Sequence, residues 1–304
     1  MTKISGRFAI FLIPFATAFI SCNNQSNEAT SKAILDTVSL SNKNFALAYQ
    51  DENKIVATSI DTMKQISFGG ATNPAISPDG NKLAYTVTDS AGHRSIWVAD
   101  MESKSQLQIL ANSGNYYQPM WSPSGGLIAF NIFNEQNIWK IGIVKPDNKG
   151  LLILDAASQI NVYSPTWKSE NELIGHDLTN LYTFNISGKV LNTEAISTLI
   201  GGDYGVSSGS RFFYTKDGEN LIFNAIDKKD EQNEAVYILD LANRKVKQIS
   251  PAGMNVTYVF VTADNRVFYS GSEKSAASKI YVSDLKGDTK LLVDKGTYPT
   301  AALK

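Results

Sequence analysis

Residues 73–85 read NPAISPDGNKLAY, two short apolar runs either side of Ser77-Pro78-Asp79-Gly80. That tetrapeptide suits a type I turn: Ser opens it, Pro locks φ at the second position, and Gly closes it. A strand, a tight turn and a second strand follow. The unit returns as QPMWSPSGGLIAF (118–130) and SPTWKSENELIGH (164–176), and in more worn form as RFFYTKDGENLIF (211–223) and YVFVTADNRVFYS (258–270). TYPTAALK (297–304) begins a further copy.

The copies start about 40–47 residues apart, the period of a four-stranded propeller blade. A second motif recurs between them: IWVAD (96–100), IWKIG (138–142), LYTFN (181–185), VYILD (236–240) and IYVSD (280–284). Each is a β-branched and aromatic run with a polar turn after it, then a fourth strand such as LQIL (107–110) or LLIL (151–154). Two independent motifs in one phase predict an all-β protein, a β-propeller. On these Ser-Pro-Asp-Gly turns and Ile-Trp/Tyr-Val-x-Asp strands the chain resembles the Pro-Asp-type, WD-like repeats of TolB-like six-bladed propellers, over residues 45–304. The resemblance implies a fold. Such propellers serve binding, scaffolding and enzymatic roles alike, so it implies no single activity.

Residues 45–67 hold three strand-like segments, FALAY, KIVATSI and KQIS, and lack the innermost strand with its Pro turn. Residues 297–304 hold an innermost strand and nothing after it. The two deficits match. The expectation is a six-bladed ring in which both chain ends share one blade.

Ahead of this domain, Lys3 and Arg7 precede FAIFLIPFATAFI (8–20), an apolar run too short for a comfortable membrane span and suited to a secretory signal. It runs into Ser21-Cys22, and Cys22 is the chain's one cysteine. A small residue and a cysteine directly after an apolar core look like a bacterial lipoprotein cleavage site, although Phe19 stands where Leu is usual. The plainer reading is an ordinary signal peptide with Cys22 incidental. The expectation is a signal over residues 1–21, lipid on Cys22, and a polar tether over residues 22–44. Asn23, rather than Asp, after the cysteine favours an outer-membrane destination, on the periplasmic or surface face. A single thiol makes no internal disulfide.

Without residues 1–21 the chain keeps 26 basic and 29 acidic residues, a net charge of −3. That excludes a nucleic-acid partner held by a basic face.

In a propeller the loops before each innermost strand gather around the channel, opposite the Pro turns. Here they span residues 68–73, 111–118, 155–164, 197–210, 251–258 and 294–299. They carry Tyr116, Tyr117, Tyr163, Tyr204, Tyr258 and Tyr298, with Asn73, Gln118, Asp203 and Asn255. Tyrosine mixed with amides and acid makes an amphipathic funnel suited to protein or glycan recognition. The alternative is that each Tyr packs on a neighbouring blade. Residues 197–210 form the longest such loop. Trp97, Trp139 and Trp167 sit in strand motifs and are expected to pack between blades.

Catalytic machinery is harder to find. Residues 205–209 match the GxSxG hydrolase elbow formally, but loop and strand flank them and no His follows His176. The propeller-bearing peptidases of the prolyl-oligopeptidase type carry a hydrolase domain this sequence lacks. His93 and His176 are the only histidines, two blades apart, which argues against a metal site. Oligogalacturonate lyases, propellers of similar size, use a cluster of several histidines. Asp155, Asp203 and Asp294 are the acids a glycosidase pair would draw on, and nothing singles out two of them. The mixed-charge run 227–234 reads as a solvated hairpin tip. The sequence therefore predicts no catalytic residue, no metal and no cofactor. It predicts a lipid-anchored binding or scaffold module of the cell envelope with a protein partner. A carbohydrate-active enzyme or glycan-binding module is the alternative.

Overall fold

The computed structural model describes residues 34–35, 46–59, 65–110, 115–229, 233–273 and 276–302. The signal segment, Cys22 and all of the tether except Ile34 and Leu35 lie outside them.

The strands follow one another as antiparallel meanders. β1 (Ile34–Leu35), β2 (Leu47–Asp51), β3 (Lys54–Thr58) and β4 (Gln65–Gly69) form the first. The second is β5 (Ala71–Ile76), β6 (Lys82–Thr88), β7 (Arg94–Asp100) and β8 (Gln106–Leu110). Then come β9 (Asn115–Trp121), β10 (Ile128–Phe133), β11 (Trp139–Val144) and β12 (Leu152–Ile153). The fourth is β13 (Tyr163–Trp167), β14 (Glu172–His176), β15 (Asn180–Asn185) and β16 (Val190–Ala195), followed by the short helix α1 (Ile196–Ile200). The fifth has β17 (Tyr204–Gly205), β18 (Phe212–Tyr214), β19 (Asn220–Asp227), β20 (Glu234–Asp240) and β21 (Lys245–Gln248). The last run is β22 (Met254–Val261), β23 (Val267–Glu273), β24 (Lys279–Ser283), β25 (Thr289–Val293) and finally β26 (Thr297–Ala301).

β26 does not extend the last meander. It pairs antiparallel with β2, Leu47 opposite Ala301 and Ala48 opposite Thr300, giving the order β1-β4-β3-β2-β26. On the outer side Ile34 and Leu35 pair with Gly69 and Phe68, so part of the expected tether lies on the sheet. The second and third meanders merge into one eight-stranded sheet through a parallel bridge between Arg94 and Asn115. β5 contacts β9, β9 contacts β13 and β13 contacts β18; β22 meets the fifth meander through β19 and β20 and contacts β26, which also contacts β5.

The turn chemistry is as the repeats predict. Gly80 N–H donates to Ser77 O at 2.9 Å, and the Ser77 hydroxyl bonds Asp79 while accepting from Lys82 N–H. Ser122, Thr215 and Thr262 repeat the arrangement, with Gly125, Gly218 and Asn265 at positive φ in the closing position. The hydroxyl thus satisfies the amide that the turn frees from the ladder. The third copy departs: Lys168 and Ser169 both donate to Glu172 O.

Aromatic and β-branched side chains fill the spaces between sheets. Trp121 Nε1 donates to Ala75 O (2.8 Å) and Trp167 Nε1 to Met120 O (3.1 Å), each one repeat away, so both indoles bridge neighbouring units. Trp97 packs against a cluster containing Phe68 and Tyr85. Trp139 behaves differently and belongs to the site below. Among the described residues no helix is long and apolar enough to cross a membrane.

Packing is tight enough for single atoms to matter. A Cβ on Gly175 would lie 2.4 Å from Ile141 Cδ1 and 2.7 Å from Val162 Cγ1, atoms of the preceding meander and its connection. Gly175→Ala is therefore expected to destabilise by about 1–3 kcal/mol through overpacking. A fall of several degrees in Tm, measured by circular dichroism, checks this, and an unchanged Tm would contradict the close approach.

Candidate functional site

The innermost strands share a local irregularity. Pairing shifts register in β5, β9, β13 and β26 where Asn73-Pro74, Gln118-Pro119, Ser164-Pro165 and Tyr298-Pro299 fall. The residue before each proline has φ between 50° and 52°, unusual for a side chain other than glycine. A bulge leaves one residue unpaired, so proline sits there without removing a ladder hydrogen bond. The amides displaced from the ladder find side chains instead. Asn73 N–H donates to Gln50 Oε1 (3.3 Å), Ser164 N–H to Asn131 Oδ1 (3.1 Å) and Arg211 N–H to Asn224 Oδ1 (2.7 Å).

Arg211 and Tyr258 hold the same place in their repeats, four residues before Thr215 and Thr262 as Asn73 precedes Ser77. These positions meet. Arg211 Nη2 donates to Gln118 Oε1 at 3.0 Å. Its guanidinium carbon lies 4.4 Å from the centre of the Tyr258 ring, a cation–π contact, and Tyr258 meets Tyr298 edge-on at 5.1 Å. Arg211 is only 1% exposed, and its Nε and Nη1 have no hydrogen-bond partner. Burial raises the Tyr258 phenol above its ordinary pKa while the Arg211 charge opposes this, so the hydroxyl stays protonated.

A second cluster is aromatic and part-exposed. Tyr117, Trp139 and Tyr163 run in series, with ring centres 5.0 and 6.3 Å apart, and Phe133 joins at Trp139. Arg94 Nη1 donates to the Tyr117 hydroxyl (2.9 Å) and covers its ring at 4.7 Å.

The sequence-predicted tyrosines thus divide. Tyr117, Tyr163, Tyr258 and Tyr298 gather in these clusters, as does Gln118. Tyr116 is buried against Phe130, and the half-buried Tyr204 packs on Phe223 and Tyr237 at the margin of a core cluster, so both serve packing. Asp203 pairs with Lys229 at the exposed surface. Asn73 keeps its bulge position, and Asn255 Oδ1 accepts from Glu234 N–H. Most of these residues lie in strands rather than in loops, because the innermost strands start well before the Pro turn: at Ala71, Asn115, Tyr163, Met254 and Thr297. The long loop 197–210 likewise carries most of α1 and all of β17.

Other candidates are placed just as definitely. The elbow-like run ends in a turn closed by Ser207 N–H on Ser210 Oγ and Ser210 N–H on Ser207 O. His93 is exposed beside Asp89. Asp294 is exposed and paired with Lys279, and Asp155 gives its backbone oxygen to the buried Lys140 ammonium. On the side of the Pro turns, a largely apolar cavity of about 340 Å3 opens among Met120, Trp121, Trp167, Phe213 and Phe260. Its lining runs from Ala75 and Pro119 into the turns at Pro78 and Pro123.

No family model matches the sequence, and no curated protein matches it. Solved structures do match in fold. TolB from Acinetobacter baumannii superposes with a TM-score of 0.66 at 15% identity, covering 86% of this chain and 67% of that one. In fold the chain is a TolB-like β-propeller. The propeller domain of the trilobed protease from Pyrococcus furiosus aligns at TM-score 0.54 and 17% identity, over 87% of this chain and 84% of that one. A chain from a nidogen/laminin complex aligns at 0.60 and 12%, over 86% and 99%.

Within this TolB-like propeller His176 is fully buried and neutral. Its Nε2 donates to Ser210 O (2.9 Å) and its Nδ1 accepts from Leu178 N–H (3.3 Å), which fixes the tautomer. Burial, aided by the Arg211 charge and opposed by Asp177, brings its pKa down to about 4 from 6.5. The folded form is thus the poorer proton acceptor. Its advantage is complete above pH 6.5 and is lost as pH falls towards 4, on the order of 3 kcal/mol. The Tm of the wild type is expected to drop across that interval, and His176→Gln should flatten the drop by several degrees. Parallel pH profiles would contradict the buried neutral ring.

Proposed function

We propose that this chain is an exported, lipid-anchored, six-bladed propeller that binds a segment of an envelope protein at its channel entrance, without turnover. The observation that carries the reading is the part-exposed series Tyr117–Trp139–Tyr163 with Arg94, its two tyrosines on the innermost strands β9 and β13, which also carry Gln118 of the group around the buried Arg211 and Tyr258. Rigid aromatics with an arginine are the side chains that dominate protein interfaces. The TolB likeness and the match to a chain solved in a protein complex support a docking role. The groups a hydrolase would need are engaged otherwise. His176 is held by backbone at both nitrogens, and Asp203 and Asp294 sit in exposed pairs with lysines.

Closure by the chain ends is part of the proposal. The Thr300 hydroxyl, between Ile76 N–H (3.1 Å) and Pro74 O (3.4 Å), bonds the next repeat at the place where Thr166 Oγ1 donates to Phe212 O (2.5 Å). The same contact thus recurs between covalently successive repeats and across the β2–β26 junction. Six innermost strands follow if β18 and β26 are counted with β5, β9, β13 and β22. The anchor rests on the sequence alone: a signal over residues 1–21, lipid on Cys22, and attachment to the outer membrane through a tether.

The test is affinity capture from the cell's own membranes with the full-length protein. Tyr117→Ala and Tyr163→Ala together are expected to cut the captured partner's affinity roughly 30-fold, as loss of an interface hot spot does. Tm should change little. The purified chain should leave a panel of glycans and peptides intact. Products that disappear on Asp203→Asn or Asp294→Asn would contradict binding without turnover, and unchanged capture would contradict the docking surface.

A further inference from the structure

Arg211 is the largest side chain that the fold buries completely. A guanidinium does not give up its proton in a protein, so its charge is buried with it. Taking an ion out of water costs several kcal/mol unless it is paired. Among the described residues no carboxylate lies within salt-bridge distance of Arg211, and the nearby groups bring no counter-charge. His176 is neutral, Tyr258 offers the face of its ring, and Gln118 is an amide. The half-buried Glu234 is already taken, by Asn224 Nδ2 at 2.5 Å and Ser210 Oγ at 3.4 Å.

The surroundings are biased towards donors. Arg211 keeps Nε and Nη1 unused. Gln118 presents its oxygen to Arg211, which turns its Nε2 away as a further donor. Tyr298 stands edge-on to Tyr258, which brings a second half-buried phenol to the edge of the same group. Two unused donors and one full positive charge, with no counter-charge among the described residues, suit a monoanion. A phosphate dianion would ask for a second cation.

We propose that Arg211, with Gln118 and Tyr298, forms a carboxylate-binding site inside the channel. The group it takes is the side chain or terminus of a peptide segment, or a small free carboxylate. This deepens the docking reading and rests on it only for the channel as the binding region.

The site is tested by thermal shift on the full-length protein in detergent. N-acetylaspartate N-methylamide, acetate and phosphate are each titrated against sodium chloride at equal ionic strength. The wild type is expected to gain several degrees, saturably, as mass action requires of a ligand of the folded state. A gain with the aspartate derivative alone identifies a peptide-borne carboxylate; a gain with acetate as well identifies any carboxylate of that size. Arg211→Met should lose the gain, and in chloride alone it should melt no lower than the wild type, because an unpaired buried charge has been removed. Arg211→Lys, which keeps the charge, should show a reduced gain. Overturning results are a wild-type Tm indifferent to both carboxylates, a shift with phosphate only, or a shift retained by Arg211→Met. An intact carboxylate shift with unchanged partner capture in the tyrosine variants sinks the docking reading alone. An absent shift with reduced capture sinks the carboxylate site alone.

Discussion

The ladder between β2 and β26 brings together residues that the chain keeps far apart. Ile76 N–H and Thr300 Oγ1, on the neighbouring β5 and on β26, are 224 positions apart in sequence. Closing a loop of that length costs only roughly 1.4 kcal/mol more than closing one repeat of 47 residues, because the entropy grows with the logarithm of length. Against this stands an apolar cluster that straddles the junction: Leu47, Tyr49 and Val56 from one end, Ala301 from the other, Phe268 and Ile280 from the last meander. Each large side chain there contributes about 1.5–3 kcal/mol by leaving water. Packing at the junction therefore outweighs the added cost of the longer loop.

The bulges connect this architecture to the site. A propeller strand near the axis has neighbours on every side, and a regular strand there would direct alternate side chains into the packing. Shifting register at Asn73-Pro74, Gln118-Pro119, Ser164-Pro165 and Tyr298-Pro299 re-aims one residue per strand and frees one amide. Gln50 and Asn131 accept two of these amides, and Asn224 accepts that of Arg211 at the equivalent position of its repeat. The positions so released hold the contacts around Gln118, Arg211, Tyr258 and Tyr298. The polar interior is thus a consequence of how the strands turn at the axis.

Much of this was legible in the sequence. The Ser77-Pro78-Asp79-Gly80 pattern sets both the turn and the period, and the repeat of Ile-Trp/Tyr strands sets the meander. The missing innermost strand of the first segment located the pairing of β2 with β26. The division among tyrosines was not legible. Tyr116 and Tyr117 are adjacent, and in a strand adjacent side chains point to opposite faces, so one fills the sheet interior and the other faces outward. Only the strand's start at Asn115 decides which. Arg211 was missed because its copy, RFFYTKDG, lacks the proline that marks the bulge elsewhere. Aligning Thr215 with Ser77 would have placed it with Asn73, Gln118 and Ser164. An arginine just ahead of an apolar strand carries no sequence mark of being buried.

If the ring closes as proposed, the pairing of β2 with β26 holds the two chain ends as firmly as the covalent connections hold the other sheets. Amide hydrogen exchange on Ala302, whose N–H donates to Ala46 O at 3.0 Å, measures this directly. Ala302 is expected to exchange only with global unfolding, with the same denaturant dependence as amides of the central strand β10. Exchange of Ala302 through local opening, orders of magnitude faster than β10 and insensitive to denaturant, would contradict it.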